Sequence, residues 1–201
     1  MRWPVVVDTW GSSAEEQGAS YPCDALIDRP DRVLFRAVDV AAPADLVFRW
    51  LCQLRAAPYS YDWIDNLGRR SPRQLTPRLD RLEIGQRVAT IFRLDSFEEG
   101  RSITFHTNSW LFGRVAITYR AIPPEDDGAP VDADTETSRC RLVVKLAVAW
   151  PRGLQGPVMR AILPAGDLIM MRRQLLNLKV LAERDARLDG GVHRNTVSED
   201  R

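Results

Sequence analysis

The clearest pattern in the chain is helical and lies near its C-terminal end. Between Asp167 and Glu183, Leu168, Met171, Leu175, Leu178 and Ala182 recur at steps of three and four, so they share one helical face. Ile169, Leu176, Val180 and Leu181 widen the stripe, which predicts a helix gripped on more than one side. Upstream the period changes to two. Val88, Thr90, Phe92 and Leu94 alternate with polar neighbours, and Glu98-Glu99-Gly100-Arg101 reads as a turn. Ile103, Phe105 and Thr107 form the next apolar face, followed by Val115, Ile117, Tyr119 and Ala121. Cys140, Leu142, Val144, Leu146, Val148 and Trp150 line one side of a long strand, with Arg139, Arg141 and Lys145 on the other. Hairpin-length connections and apolar/polar alternation predict an antiparallel sheet with one solvated face.

Ahead of this sheet, Val33 to Val40 reads as a first strand. If Asp39 faces water, Arg36, Val38 and Val40 face inward. Ala42-Pro43 ends it, and Val47, Trp50, Leu51 and Leu54 follow at helical spacing, with Asp45, Arg49 and Gln53 on the wet side. Tyr59, Tyr61 and Trp63 crowd a second short helical stretch, which Ser60 is placed to cap and Gly68 to end. Residues 69–81 carry Arg69, Arg70, Arg73, Arg78 and Arg81 with Pro72 and Pro77, and read as a basic loop. Ile122 to Ser138 is a loop with six acidic residues and no basic one. Pro164 and Gly166 are expected to break the helical stretch ahead of Asp167.

The 201 residues divide into an N-terminal extension, 1–30, packed on the domain; one domain, 31–188; and a disordered tail, 189–201. Trp3, Val5, Val6, Val7 and Trp10 are too apolar for a solvated tail. Ser12–Glu15 and Ser13–Glu16 both have capping-box spacing. A formal charge of +1 gives no general pull towards nucleic acid. No run reaches the roughly 18 apolar residues of a membrane span. Cys23, Cys52 and Cys140 match no metal or redox spacing. Their odd number, with no signal-peptide h-region at the N-terminus, points to a cytoplasmic setting. No nucleotide-binding, metal or Ser-His-Asp motif is present, so no cofactor is expected.

The order strand, two short helices, antiparallel strands, long C-terminal helix is an α+β, helix-grip layout, with a sheet of six or seven strands. Within it, W-G-S-S-A-E-E at 10–16, P-C-D at 22–24, A-P-A-D-L-V-F-R-W-L at 42–51, Y-S-Y-D-W-I-D-N-L-G at 59–68 and M-R-R-Q-L-L-N-L-K-V-L-A-E at 171–183 occur in sequence. The ordered set resembles the SRPBCC superfamily, the START-like and Bet v 1-like group that includes polyketide cyclase/dehydrase and lipid-transport proteins, and in particular its actinobacterial-type members with Y-S-Y-D-W. Cys23 stands where that pattern has glycine. The resemblance implies an apolar cavity between sheet and C-terminal helix and a small hydrophobic ligand: a lipid, sterol or polyketide-like molecule. It carries over no catalytic set.

Candidate ligand-binding residues are Arg36, Trp50, Tyr59, Tyr61, Trp63, Phe92, Phe105, Tyr119, Trp150, Met171 and Leu175. Arg36, Tyr61 and Tyr119 are the expected polar contacts, because an inward arginine must be paired or serve a ligand. The bland reading of Tyr119 and Trp150 is plain core, and that of Tyr59, Tyr61 and Trp63 is that they pin the two short helices to the sheet. Asn66 and Met170 are rim and wall candidates. An enzyme of the cyclase/dehydratase sort would need His106, Asp95 or a tyrosine inside the cavity. A third reading is a protein-interaction module using the acidic loop 125–136 or the arginine run. It strengthens if Trp150, Phe92 and Phe105 fill the cavity.

Overall fold

The structure is a computed structural model, and it describes residues 5–66, 68–89, 91–110, 112–124, 139–151, 153 and 155–198. Trp3, Thr90 and the acidic loop 125–136 lie outside the described residues. In chain order the elements are α1 (Val5–Thr9), α2 (Ala14–Gly18), a 3-10 turn (Pro22–Ala25), β1 (Arg32–Val40), α3 (Ala44–Cys52), a second 3-10 turn (Gln53–Arg55), α4 (Asp62–Asp65), β2 (Arg87–Val88), β3 (Phe92–Glu98), β4 (Ser102–Ser109), β5 (Gly113–Ile122), β6 (Cys140–Ala149) and α5 (Gln155–Ser198). The six strands form one antiparallel sheet in the order β1-β6-β5-β4-β3-β2. The sheet wraps around α5, which packs chiefly on β1 and α3. This is the helix-grip fold.

The alternation along the strands sets the inner face. Leu34, Leu146, Ile117, Phe105 and Leu94 stand in one cross-strand row, and all five are buried. Met171, Leu175, Leu178 and Ala182 of α5 close on that face. Ile169 and Val180 are exposed, so the helix is gripped along one side, not several. The helix also runs unbroken through Pro164 and past Asp189, where the sequence suggests a break and then a tail. Here the long apolar face outweighs the local cost of proline. The pattern at 88–94 is two strands, not one: Ala89 takes φ +38°, and Val88 turns back to pair with Phe92.

The outer face is not solvated. Phe35, Ala37, Ala116, Val143 and Ala147 point outward and form a second core with Tyr21, Cys23 and Ile27 of the N-terminal segment. These outward positions are themselves apolar, a signal that the inward period hides. Lys145 and Arg141 on this face are tied to Asp24 and Glu16, each at 2.7 Å. Ser13 and Glu16 close a reciprocal capping box on α2. Gly11, just ahead of α2, takes φ +75°, where a Cβ would strike the Ala37 carbonyl oxygen, so only glycine lets the chain pass β1.

Two polar assignments also shift. Gln53 is buried rather than wet, because its amide accepts from Thr76 N at 2.9 Å and holds the following loop to α3. Ser60 does not cap α4; its hydroxyl donates to the Met170 carbonyl at 3.1 Å, and Tyr61 takes the cap position.

Candidate functional site

Arg36 is the third of five consecutive buried residues, Leu34 to Val38, in an otherwise apolar stretch of β1, and its side chain is fully buried. It shares a cross-strand row with Val144 and Tyr119, which places Arg36 and Tyr119 about 10 Å apart on one face at the usual strand spacing. Opposite this row α5 presents Asp167, Met171 and Gln174, which fall at i, i+4 and i+7 on one helical side. The result is a polar cluster inside the sheet–helix interface.

Arg36 donates from Nη2 to Asp167 Oδ2 at 2.7 Å and from Nη1 to the carbonyls of Phe35 (2.7 Å) and Asp8 (3.0 Å). Its Nε–H is buried and has no acceptor. Burial lifts the Asp167 carboxyl to about 6, and the Arg36 guanidinium, pulling the other way, does not offset it. The Tyr119 hydroxyl donates to Gln174 Oε1 at 2.7 Å and lies 3.6 Å from Met171 Sδ; burial pushes its pKa well above the ordinary tyrosine value. Gln174 in turn donates to the Pro58 carbonyl at 2.6 Å.

That last bond belongs to a clamp. Asn177 donates to the Tyr59 carbonyl at 2.8 Å, and Ser60 donates to Met170, so 58–60 is stitched along α5. Within the clamp Tyr59 is held at φ +55°, a left-handed conformation that a bulky residue adopts only where its surroundings enforce it. Its ring meets Trp50 edge-on at 5.9 Å, and its hydroxyl is buried without a partner. Trp50 is fully buried and donates to Asp185 at 3.1 Å.

The expected binding residues separate into three groups. Arg36, Trp50, Tyr59, Phe105, Tyr119, Trp150, Met171 and Leu175 all face the interior. Phe92 is half-buried at the margin. Tyr61 is half-buried at the α4 cap, outside the polar cluster, and Trp63 is 75% exposed, so neither reaches the interior. Asn66 turns to its own loop and donates to the Arg69 carbonyl at 2.6 Å. His106 lies on the outer side beside Asp95, 3.5 Å away, where a β-bulge after Leu94 projects the aspartate. Neither can act inside the interface. The residues that sequence reading missed are Asp167 and Gln174. Their signal was available: each is polar at a position that continues the apolar face of α5.

The expected open cavity is not what the described residues show. Phe105, Tyr119, Trp150, Met171 and Leu175 fill the space between sheet and helix. Two open grooves lie elsewhere: one of about 480 Å³ beside Arg73, Leu75 and Arg184, and one of about 210 Å³ on the outer face beside Ile27 and His106. Among the described residues no His, Cys, Asp or Glu cluster is placed to hold a metal ion, and no helix is long and apolar enough to cross a membrane.

The fold defines the class: an α+β helix-grip protein, on the chain's own strand order and helix placement. No family model matches the sequence, and neither does any curated protein. Among solved structures the chain is similar to a START superfamily protein from Mycobacterium smegmatis, at 16% identity and TM-score 0.47, over 76% of this chain and 97% of that one. It is similar to a protein from Mesorhizobium loti at 16% identity and TM-score 0.45, over 76% of this chain and 98% of that one. A third is DynU16, a protein of the dynemicin biosynthetic locus, at 16% identity and TM-score 0.42, over 72% of this chain and 46% of that one.

Proposed function

We propose that the protein binds a small hydrophobic ligand, a lipid, sterol or polyketide-like molecule, between its sheet and α5. The observation that carries this reading is the pair of buried donors with nothing to bond, Arg36 Nε–H and the Tyr59 hydroxyl. An unpaired buried donor costs about 1–3 kcal/mol, and a purely structural core would place apolar groups there. A ligand acceptor placed at either one would satisfy it while the ligand's apolar body is buried. Entry would displace side chains that now fill the space, and Met171 is the most adaptable of them. A cytoplasmic setting belongs to the same reading; Cys23, Cys52 and Cys140 are buried and unbridged.

A cyclase or dehydratase reading draws on a different observation. Asp167 is a buried carboxyl lifted to about 6, the range in which a general base works, beside an arginine that can steady an oxyanion. The interaction reading draws on the filled interior and on the surface at α4, where Trp63 and Ile64 are exposed next to Arg69, Arg70 and Arg73.

Native mass spectrometry of protein purified from its own host, followed by denaturing extraction, tests the first reading. A co-purifying apolar molecule of defined mass supports it and supplies a substrate to assay for turnover. An apo mass, together with no thermal shift across fatty acids, sterols and aromatic polyketides, removes it and leaves the α4 surface as the working site.

A further inference from the structure

The charge count inside the interface restricts what the ligand can be. Arg36 is balanced by Asp167 at 2.7 Å; the Arg36 side chain is fully buried and that of Asp167 is 10% exposed. The neighbouring Asp8, whose carbonyl also holds Arg36, has its own carboxylate on Arg32 at 2.7 Å. Both ion pairs are therefore closed, and the interior carries no spare positive charge at this point. What remains unsatisfied are donors: Arg36 Nε–H and the Tyr59 hydroxyl. The neighbouring Tyr119 hydroxyl and Gln174 amide already have partners.

We propose that the ligand is a neutral molecule whose polar end is a carbonyl acceptor, a ketone, ester or lactone, and that carboxylic acids are discriminated against; this rests on the ligand-binding reading above. A carbonyl oxygen satisfies the Nε–H without changing the charge of the site. A carboxylate would set a second negative charge against a single guanidinium, out of water and without a counter-ion, which is the costly arrangement in a buried site. Asp167 is then a specificity residue: it occupies the place on Arg36 that an acid would need.

The test uses the full chain, stripped of bound lipid, at about pH 8, where free carboxylic acids are ionised. Dodecanoic acid is compared by calorimetry with the methyl ketone of the same chain, and a steroid carboxylic acid with its matching methyl ketone. Each acid and ketone then differ by a hydroxyl for a methyl. The ketones bind, and each acid binds at least about tenfold more weakly. Asp167→Asn, which keeps an acceptor for Arg36 but removes the charge, narrows or reverses that preference. An acid that binds the wild type as tightly as its ketone overturns the inference while ligand binding stands. Binding of no member of either pair, by protein that circular dichroism shows to be folded, overturns the ligand reading and this inference with it. If Asp167→Asn does not fold, the wild-type comparison decides alone.

Discussion

Asp167 offers the most direct physical test of the buried cluster, because two opposed effects meet on one carboxyl. Arg36 lies 2.7 Å away and favours ionisation; burial disfavours it and prevails, moving the pKa from 3.8 to about 6. A carboxyl whose pKa rises on folding holds its proton more tightly in the native state. Its contribution to stability is complete below about 3.8 and is lost as the pH rises through about 6. The gap corresponds to about 3 kcal/mol, at ~1.4 kcal/mol per tenfold change in proton affinity. The perturbation is Asp167→Asn, which cannot titrate and still accepts from Arg36. Urea unfolding of wild type and variant at intervals between about pH 4 and pH 7 gives the difference in unfolding free energy, and groups common to both chains cancel. That difference should move by about 2 kcal/mol against the wild type across this window, the remainder falling below pH 4. A flat difference refutes the reasoning. So does a wild type that gains on the variant with rising pH, since that places the folded pKa below 3.8 and makes the ion pair stronger than burial.

Tyr59→Phe removes a buried hydroxyl that bonds to nothing and should stabilise the ligand-free protein by about 1 kcal/mol in urea unfolding, while weakening any ligand that the hydroxyl meets. Gly11→Ala should destabilise by about 2 kcal/mol or more, read as a lowered melting temperature, because the new Cβ would strike the Ala37 carbonyl at a φ of +75°. Burial pushes the thiols of Cys52 and Cys140 up to about 12 and that of Cys23 above its ordinary value, so an aromatic disulfide reagent at neutral pH should label none of them until denaturant is added.

Most of the fold was legible because the inner face of this sheet is apolar at strict period two. From Cys140 to Trp150 every second residue is buried, and the α5 residues that meet them recur at three and four. The failures have physical causes of the same kind. Phe35, Val143 and Ala147 are apolar on the opposite face, but an inward reading treats them as neighbours to be ignored; they are the floor of a second core under Tyr21, Cys23 and Ile27. Pro164 is a strong local breaker, and it was overruled by a helix whose later turns bury Met171, Leu175 and Leu178. Ile169 and Val180 are apolar with nothing to cover them in the described structure, and no periodicity argument separates them from core.

The candidate site was legible in half. Arg36 announced itself as a charge in an apolar strand, and Tyr119 as an inward polar ring, because alternation fixes which way a strand residue points. Their partners were hidden by the opposite assumption on the helix, that a polar residue belongs to the wet side. Asp167 and Gln174 lie four before and three after Met171, on the face that the apolar stripe defines. Read with the strand, the two anomalies explain each other: a buried guanidinium needs a carboxylate, and α5, the helix that packs most extensively on β1 among the described residues, carries one at the matching turn. Trp63 failed for the converse reason. An aromatic-rich stretch reads as buried, yet a helix as short as Asp62–Asp65 has too few turns to turn both its tyrosine cap and its tryptophan inward, and the tryptophan stays in water. A charge on an apolar face is thus a better guide to this site than a cluster of aromatics, because burying the charge unpaired costs far more than exposing a ring.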